Sequence, residues 1–253
     1  MMTLFAQKRV PEPEVMVESA EVEAYASAAA QSYLEQIDRT FVEHVARLMA
    51  KKSVQGQALD LGCGPGQIPI MMAARWPGLR IVGLDAAPGM IEQARKNAAA
   101  AGVAISFQVF RAQTPEVKTS SSAGNTPPAA QPKSGTLPFA DHSFDLVTCN
   151  SVLHHLAEPM LVLNEIARVA KPAAAVLIRD LRRPAAPLFP VHVSWFGRKY
   201  SGEMRRLYEA SVRAAYTAEE LGQLLLQSNL SDGRSRVFRH RLTHIGIERS
   251  ALS

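Results

Sequence analysis

The chain is poor in the residues that staple small extracellular folds. Its 253 residues hold two cysteines, two tryptophans and 6% aromatics. Cys63 lies in a glycine-rich turn and Cys149 at the end of an apolar stretch. Both read as small buried residues of a reducing cytoplasm rather than as a disulfide pair. Long apolar runs are missing as well. None approaches the ~20 residues that cross a bilayer, and Met1 to Glu14 has no apolar core of a signal peptide. The expectation is a cytoplasmic protein with no membrane association and no metal site. The 47% hydrophobic and 20% charged residues that are present suit one large domain, or a domain with appendages.

Charge is unevenly spread. Residues 1–170 carry 14 basic and 16 acidic side chains, whereas residues 171–253 carry 14 basic and 7 acidic. A basic surface attracts nucleic acid, acidic metabolites or only solvent. Its densest part, Arg234 to Arg241, sets Arg234, Arg236, Arg239 and Arg241 around Val237 and Phe238. That alternation reads as an edge strand with a charged outer face, which discourages pairing with another chain.

The most informative stretch is Leu59-Asp60-Leu61-Gly62-Cys63-Gly64-Pro65-Gly66. An apolar strand ends in it, and a helical pattern, Ile68 to Trp76, follows at once. Glycines at a strand-to-helix turn admit a ligand close to the backbone, because no Cβ intervenes. A second strand, Arg80 to Leu84, ends in Asp85, 19 residues after Gly66. A carboxylate there can accept hydrogen bonds from a ribose. The dinucleotide fingerprint is G-x-G-x-x-G. Here the spacing is G-x-G-x-G, with Asp60 two residues ahead. That acid would repel a pyrophosphate but suits an ammonium group.

These residues resemble motif I of the class I S-adenosylmethionine-dependent methyltransferases. Gly83 to Met90 resembles the family's ribose-binding motif, and Phe144 to His155 is similar to its fourth strand and the turn after it. The likeness covers roughly residues 55–180. It implies S-adenosylmethionine as cofactor and S-adenosylhomocysteine as product. The implied cofactor residues are Asp60, Gly62, Cys63, Gly64, Gly66, Asp85, Ala86, Met90 and Asn150. Arg111 stands where the family often has an acid for the adenine amino group, and an arginine cannot accept that bond.

Alternating α and β patterns predict a Rossmann-like, doubly wound α/β fold, with a seven-stranded, mostly parallel sheet. A helical lid is expected over 1–50 and the cofactor-binding domain over 51–253. Met90 to Ala101 should stop at Gly102, Pro159 to Ala170 should be helical, and Ala174 to Arg179 should form a fifth strand. Thr217-x-x-Glu220 is a capping box. Strands near 234–240 and 242–248 should close the sheet as a C-terminal antiparallel hairpin. Residues 113–136 hold 17 Ser, Thr, Pro, Ala or Gly among 24, and predict a flexible inserted loop.

Methyl transfer asks mainly for positioning. A base is needed only if the acceptor loses a proton. His154 is the expected catalytic residue, with His155 beside it. Either can instead orient the loop or cap the next helix. Asp180 is a second candidate, with an ion pair to Arg179 or Arg182 the blander expectation. The acceptor pocket is expected in 181–216, with His155, Arg179, Arg182, Arg183 and Arg213 as acceptor residues and Tyr25 from the lid. Arginines suit a carboxylate or phosphate, and Trp195, Tyr200 and Tyr208 an aromatic ring. The reading is therefore methyl transfer to an anionic or aromatic small molecule. An RNA methyltransferase using the basic last third, and a cofactor-binding protein without activity, stand as alternatives.

Overall fold

The computed structural model describes residues 8–11, 32–49, 55–111 and 136–252. Tyr25 and nearly all of the 113–136 segment lie outside them. Seven strands form one sheet: β1 (Gly56–Leu61), β2 (Leu79–Asp85), β3 (Ser106–Val109), β4 (Phe144–Asn150), β5 (Ala170–Leu181), β6 (Arg236–His240) and β7 (His244–Arg249). Their spatial order is β3-β2-β1-β4-β5-β7-β6. The first five run parallel, and β7 is antiparallel to both β5 and β6. The chain winds outward in both directions from β1, so its topological switch lies at the carboxyl ends of β1 and β4, where ligands bind in open α/β sheets.

The helices are α1 (Ser32–Leu48), α2 (Gln67–Arg75), α3 (Pro88–Ala100), α4 (Pro159–Val169), α5 (Phe189–Phe196), α6 (Gly202–Ala214) and α7 (Ala218–Gln227). Strands covered on both faces should be apolar throughout, and Ala174 to Ile178 of β5 are all buried. Alternate side chains sort to opposite faces. Val176 and Ile178 meet Leu163 and Ile166 of α4 and Leu221 of α7. Ala175 and Leu177 meet Phe41 and Val45 of α1 and Met72 of α2. Each of the larger of these side chains, Val, Leu, Ile, Phe or Met, contributes ~1.5–3 kcal/mol by burial. Most helical stability in proteins comes from packing of an amphipathic face, and α1 buries Phe41, Val42 and Val45 against the sheet. The described part of the expected lid is thus a docked layer of the domain.

Local signals decide where the helices stop and start. Gly102 (φ 67) takes the left-handed position after α3, while Val103 N donates to Ala98 O and Gly102 N to Ala99 O. This is a Schellman stop. The capping box forms reciprocally, Glu220 N to Thr217 Oγ1 and Thr217 N to Glu220 Oε2. The arginine-rich strand β6 lies at the sheet edge as expected. Two features differ from the sequence reading. Strand β5 runs to Leu181, because β7 pairs with it from Val176 to the end. The segment 181–216 is largely helical, forming α5 and α6.

Candidate functional site

The glycine turn after β1 is held by backbone bonds. Gly62, Gly64 and Gly66 have φ of 69°, 51° and 87°, a region costly for side-chain-bearing residues. A Cβ on Gly62 would lie 2.1 Å from Cγ2 of Val152. Gly62 N and Cys63 N both donate to Leu84 O, at 2.8 and 2.9 Å. Asp85 fastens the turn from the neighbouring strand, with Oδ2 accepting from Gly64 N (2.8 Å) and Oδ1 from Ala87 N (2.9 Å). In front of this turn opens a cavity of about 310 Å³. Gly62, Gly64, Asp85, Ala86, Met90 and Asn150 line it, and so do His154 and His155. The far wall comes from Leu181, Tyr200, Met204, Leu207 and Tyr208 of the helical segment.

The cavity's electrostatics are one-sided. Among the described residues its lining includes carboxylates of Asp38, Asp85 and Glu165, and no lysine or arginine. Glu165 is paired with Arg168 at 2.7 Å. Beneath the floor, Asp60 is fully buried and accepts from Thr148 Oγ1 at 2.6 Å. Burial, with Asp38 and Asp85 nearby, pushes its carboxyl up to about 7 against the Thr148 bond. Burial raises Asp38 to about 6 despite the opposing pull of Arg179. Asp85 is raised by burial too, against three backbone N–H bonds. A cation in the cavity would relieve all three.

The histidines differ from each other. His154 Nδ1 lies 2.6 Å from Asp180 Oδ1, and its backbone N donates to Asp180 Oδ2 at 3.0 Å. Burial pushes Asp180 up, but His154 and the backbone N–H of Leu181 outweigh it and hold its carboxyl below the usual range. The expected pairing of Asp180 with Arg179 or Arg182 is therefore replaced by one with His154. His155 is pushed down to about 3 by burial and then by His154, so it is neutral.

None of the four expected acceptor arginines lines the cavity. Arg179 is buried over the Phe41 ring and donates to Asn150 Oδ1, Thr40 Oγ1 and Ile37 O. It ties α1 to the ends of β4 and β5. Arg183 donates to Ala215 O and pairs with Glu220. Arg213 pairs with Glu209 and stacks on Phe189. Arg182 has its backbone bonded to Thr243 O and lies outside the cavity. A guanidinium folds back onto carbonyls and aromatic faces when those are nearer than solvent. Asp60, Cys63, Gly66 and Arg111 also lie outside the lining. The thiol of Cys63 packs with Phe107 and Ala94, and burial pushes it up, which leaves it inert. Arg111 is exposed, and Phe110 faces the cavity in its place.

Sequence reasoning missed Asp38, Ser151 and His244. Asp38 sits among the apolar positions of α1, and an acid breaking an apolar stripe was its only signal. Ser151 lines the cavity at φ 58, strained backbone for a non-glycine residue. No local pattern in the sequence marks it.

Similarity to known proteins agrees with this geometry. A family model described as a methyltransferase domain matches residues 59–178, and a second with the same description matches 130–227. The ubiquinone/menaquinone biosynthesis C-methyltransferase of Desulfotalea psychrophila is 30% identical over 143 residues, which cover 56% of this chain and 48% of that protein. A ubiquinone biosynthesis O-methyltransferase of Hahella chejuensis is 30% identical over 152 residues, 60% of this chain and 52% of that one. The chain thus spans about half the length of the curated relatives it matches. A SAM-dependent methyltransferase from Aquifex aeolicus shares the fold at a TM-score of 0.58 and 17% identity, covering 93% of this chain and 99% of its own. A plantazolicin methyltransferase solved with S-adenosylhomocysteine does so at 0.61 and 14%, covering 93% and 92%. With the sheet order, the glycine turn and Asp85 in place, these matches show that the chain belongs to the class I S-adenosylmethionine-dependent methyltransferases.

Proposed function

We propose that this protein transfers a methyl group from S-adenosylmethionine to a small molecule with an aromatic ring. One observation carries the reading. A single cavity joins the glycine turn and its carboxylates to the aromatic wall of α6. The residues fit the cofactor. Asp85 keeps lone pairs for the ribose hydroxyls, Gly62 and Gly64 leave room for the methionine moiety, and Asp38, Asp60 and Asp85 favour a cationic ligand. S-adenosylmethionine supplies a methyl group made electrophilic by a sulfonium. Tyr200, Met204, Leu207 and Tyr208 hold the acceptor and exclude water, and such positioning is worth up to ~7–11 kcal/mol of the barrier.

Asp180 orients His154 through Nδ1, and His154 lines the cavity where a hydroxyl or an amine can give up a proton to it. An acceptor attacking through an already anionic or neutral atom needs no such help. Of the four arginines that motivated the anionic side of an anionic or aromatic acceptor, Arg179, Arg183 and Arg213 are engaged by the scaffold and Arg182 lies outside the cavity, so an aromatic body is the better fit there. The test is turnover. The purified protein should release S-adenosylhomocysteine with hydroxylated aromatic acceptors, and Asp85→Ala should abolish the release. Turnover unchanged in that variant would overturn the assignment.

A further inference from the structure

A second cavity, of about 180 Å³, adjoins the first and shares Ile37, Thr243 and His244 with it. It lies between α1 and the β6–β7 hairpin, and its remaining polar lining comes from Gln36, Thr40, His240 and Arg241. Its character is the reverse of its neighbour's. No carboxylate lines it among the described residues. Arg179, which donates to Thr40 Oγ1 at 2.9 Å, adds a buried guanidinium directly behind that wall.

The hairpin is shaped to present these groups. His240 and His244 are cross-strand partners, and three residues, Arg241 to Thr243, close the turn between them. Arg241 sits at φ 54, a left-handed conformation that L-residues adopt at a cost of ~1–2 kcal/mol. Strain of this kind collects where a side chain has to be aimed. Arg241 forms no ion pair among the described residues, unlike Arg234 and Arg236 of the same stretch, which pair with Asp232 and Glu248. Thr243 Oγ1 lies 2.8 Å from His244 Nδ1, which fixes the ring that both cavities share.

We infer that this second cavity is an anion subsite, and that it takes a carboxylate or phosphate group carried by the methyl acceptor while the acceptor's ring lies in the first cavity. Arg241, His240 and Gln36 line it beside the two threonines, and a charge-assisted bond from the Arg241 guanidinium to an anion is of the strong type. The unoccupied positive charge is visible in the histidines. Burial first, and then Arg179 and Arg241 among the neighbouring charges, lower His240 to about 4 and His244 to about 3. An anion among them reverses that pressure. The inference rests on the first cavity's being the methyl-transfer site and adds which acceptors it selects.

The test is a titration of the protein saturated with S-adenosylhomocysteine, followed through the imidazole NMR signals of His240 and His244. Two probes are compared, inorganic phosphate and 4-hydroxybenzoate. Both should shift these signals saturably. The aromatic carboxylate should bind ~10-fold more tightly, because only it also fills the first cavity, and phosphate should compete with it. Arg241→Gln should weaken both ~10-fold while S-adenosylhomocysteine affinity stays the same. Absence of any saturable shift in protein that binds S-adenosylhomocysteine overturns the subsite and leaves the cofactor reading standing. Binding of phosphate without competition from the aromatic carboxylate overturns the link to the acceptor. Failure to bind S-adenosylhomocysteine at all would instead strike the methyl-transfer reading.

Discussion

The two ends of the main cavity are built from different materials. At the glycine-turn end the wall is backbone: Gly62 and Cys63 anchor to Leu84, and Gly64 to Asp85, through bonds that the chain's turn geometry dictates. At the acceptor end the wall is side chains from α6 and the turn before it, Tyr200, Met204, Leu207 and Tyr208. A backbone-built wall tolerates almost no substitution, since there is no side chain to repack. A side-chain wall can be rebuilt residue by residue, which is how one fold serves many acceptors.

Substitutions should separate the two ends sharply. The largest effect is expected for Gly62→Ala, whose Cβ meets Val152 at 2.1 Å and whose φ is 69°. Affinity for S-adenosylhomocysteine should fall ~100-fold or more in a calorimetric titration, about 3 kcal/mol. Adding Val152→Ala should recover only part of the loss, because the backbone cost remains. Loss of no affinity in Gly62→Ala would mean that the turn yields easily, and the contrast between the two ends would dissolve.

Arg179→Met comes next. It removes three hydrogen bonds that fasten α1 beside the cavity and leaves Asn150 Oδ1 and Ile37 O without that donor. Thermal unfolding should show a cost of ~2–4 kcal/mol. An unchanged melting temperature would show that packing alone holds α1.

Acidity tests the carboxylates. Burial raises Asp60 to about 7 and Asp38 to about 6, so the fold without ligand holds these protons more tightly than the unfolded chain does. Their contribution to stability is fully present below the unfolded value near 4 and is lost as pH rises through 6 to 7. A cationic ligand prefers the ionised carboxylates. Affinity for S-adenosylmethionine should therefore weaken by ~10-fold from pH 8 to pH 5.5. Asp60→Asn should flatten that dependence, and a slope of the opposite sign would contradict the assignment.

The smallest effect belongs far from the cavity. Thr217→Ala removes one half of the α7 capping box and should cost ~1 kcal/mol of stability with no change in cofactor affinity.

What could be read from the sequence follows the same division. The spacing of Gly62, Gly64, Gly66 and Asp85 encodes a backbone shape, and a backbone shape is local, so the turn and its partner strand were legible. The sheet, its closing hairpin and the Schellman stop at Gly102 were legible for the same reason. The destinations of the arginines were not. Whether Arg179 faces a ligand or Thr40 depends on where α1 lies, 139 residues earlier in the chain. Asp60 was expected to meet the ligand directly and instead lies under the floor, bound to Thr148 of the adjacent strand. The helices α5 and α6 escaped notice because their apolar and aromatic residues read equally well as pocket lining.

Asp85 is the side chain proposed to hold S-adenosylmethionine at the glycine-turn end. The most direct test is calorimetric titration of S-adenosylmethionine and S-adenosylhomocysteine into the native protein and into Asp85→Ala. The native protein should bind saturably with a Kd on the order of micromolar, and the variant should lose ~100-fold or more. Equal affinity in both proteins, or none in the native one, would contradict that role of Asp85.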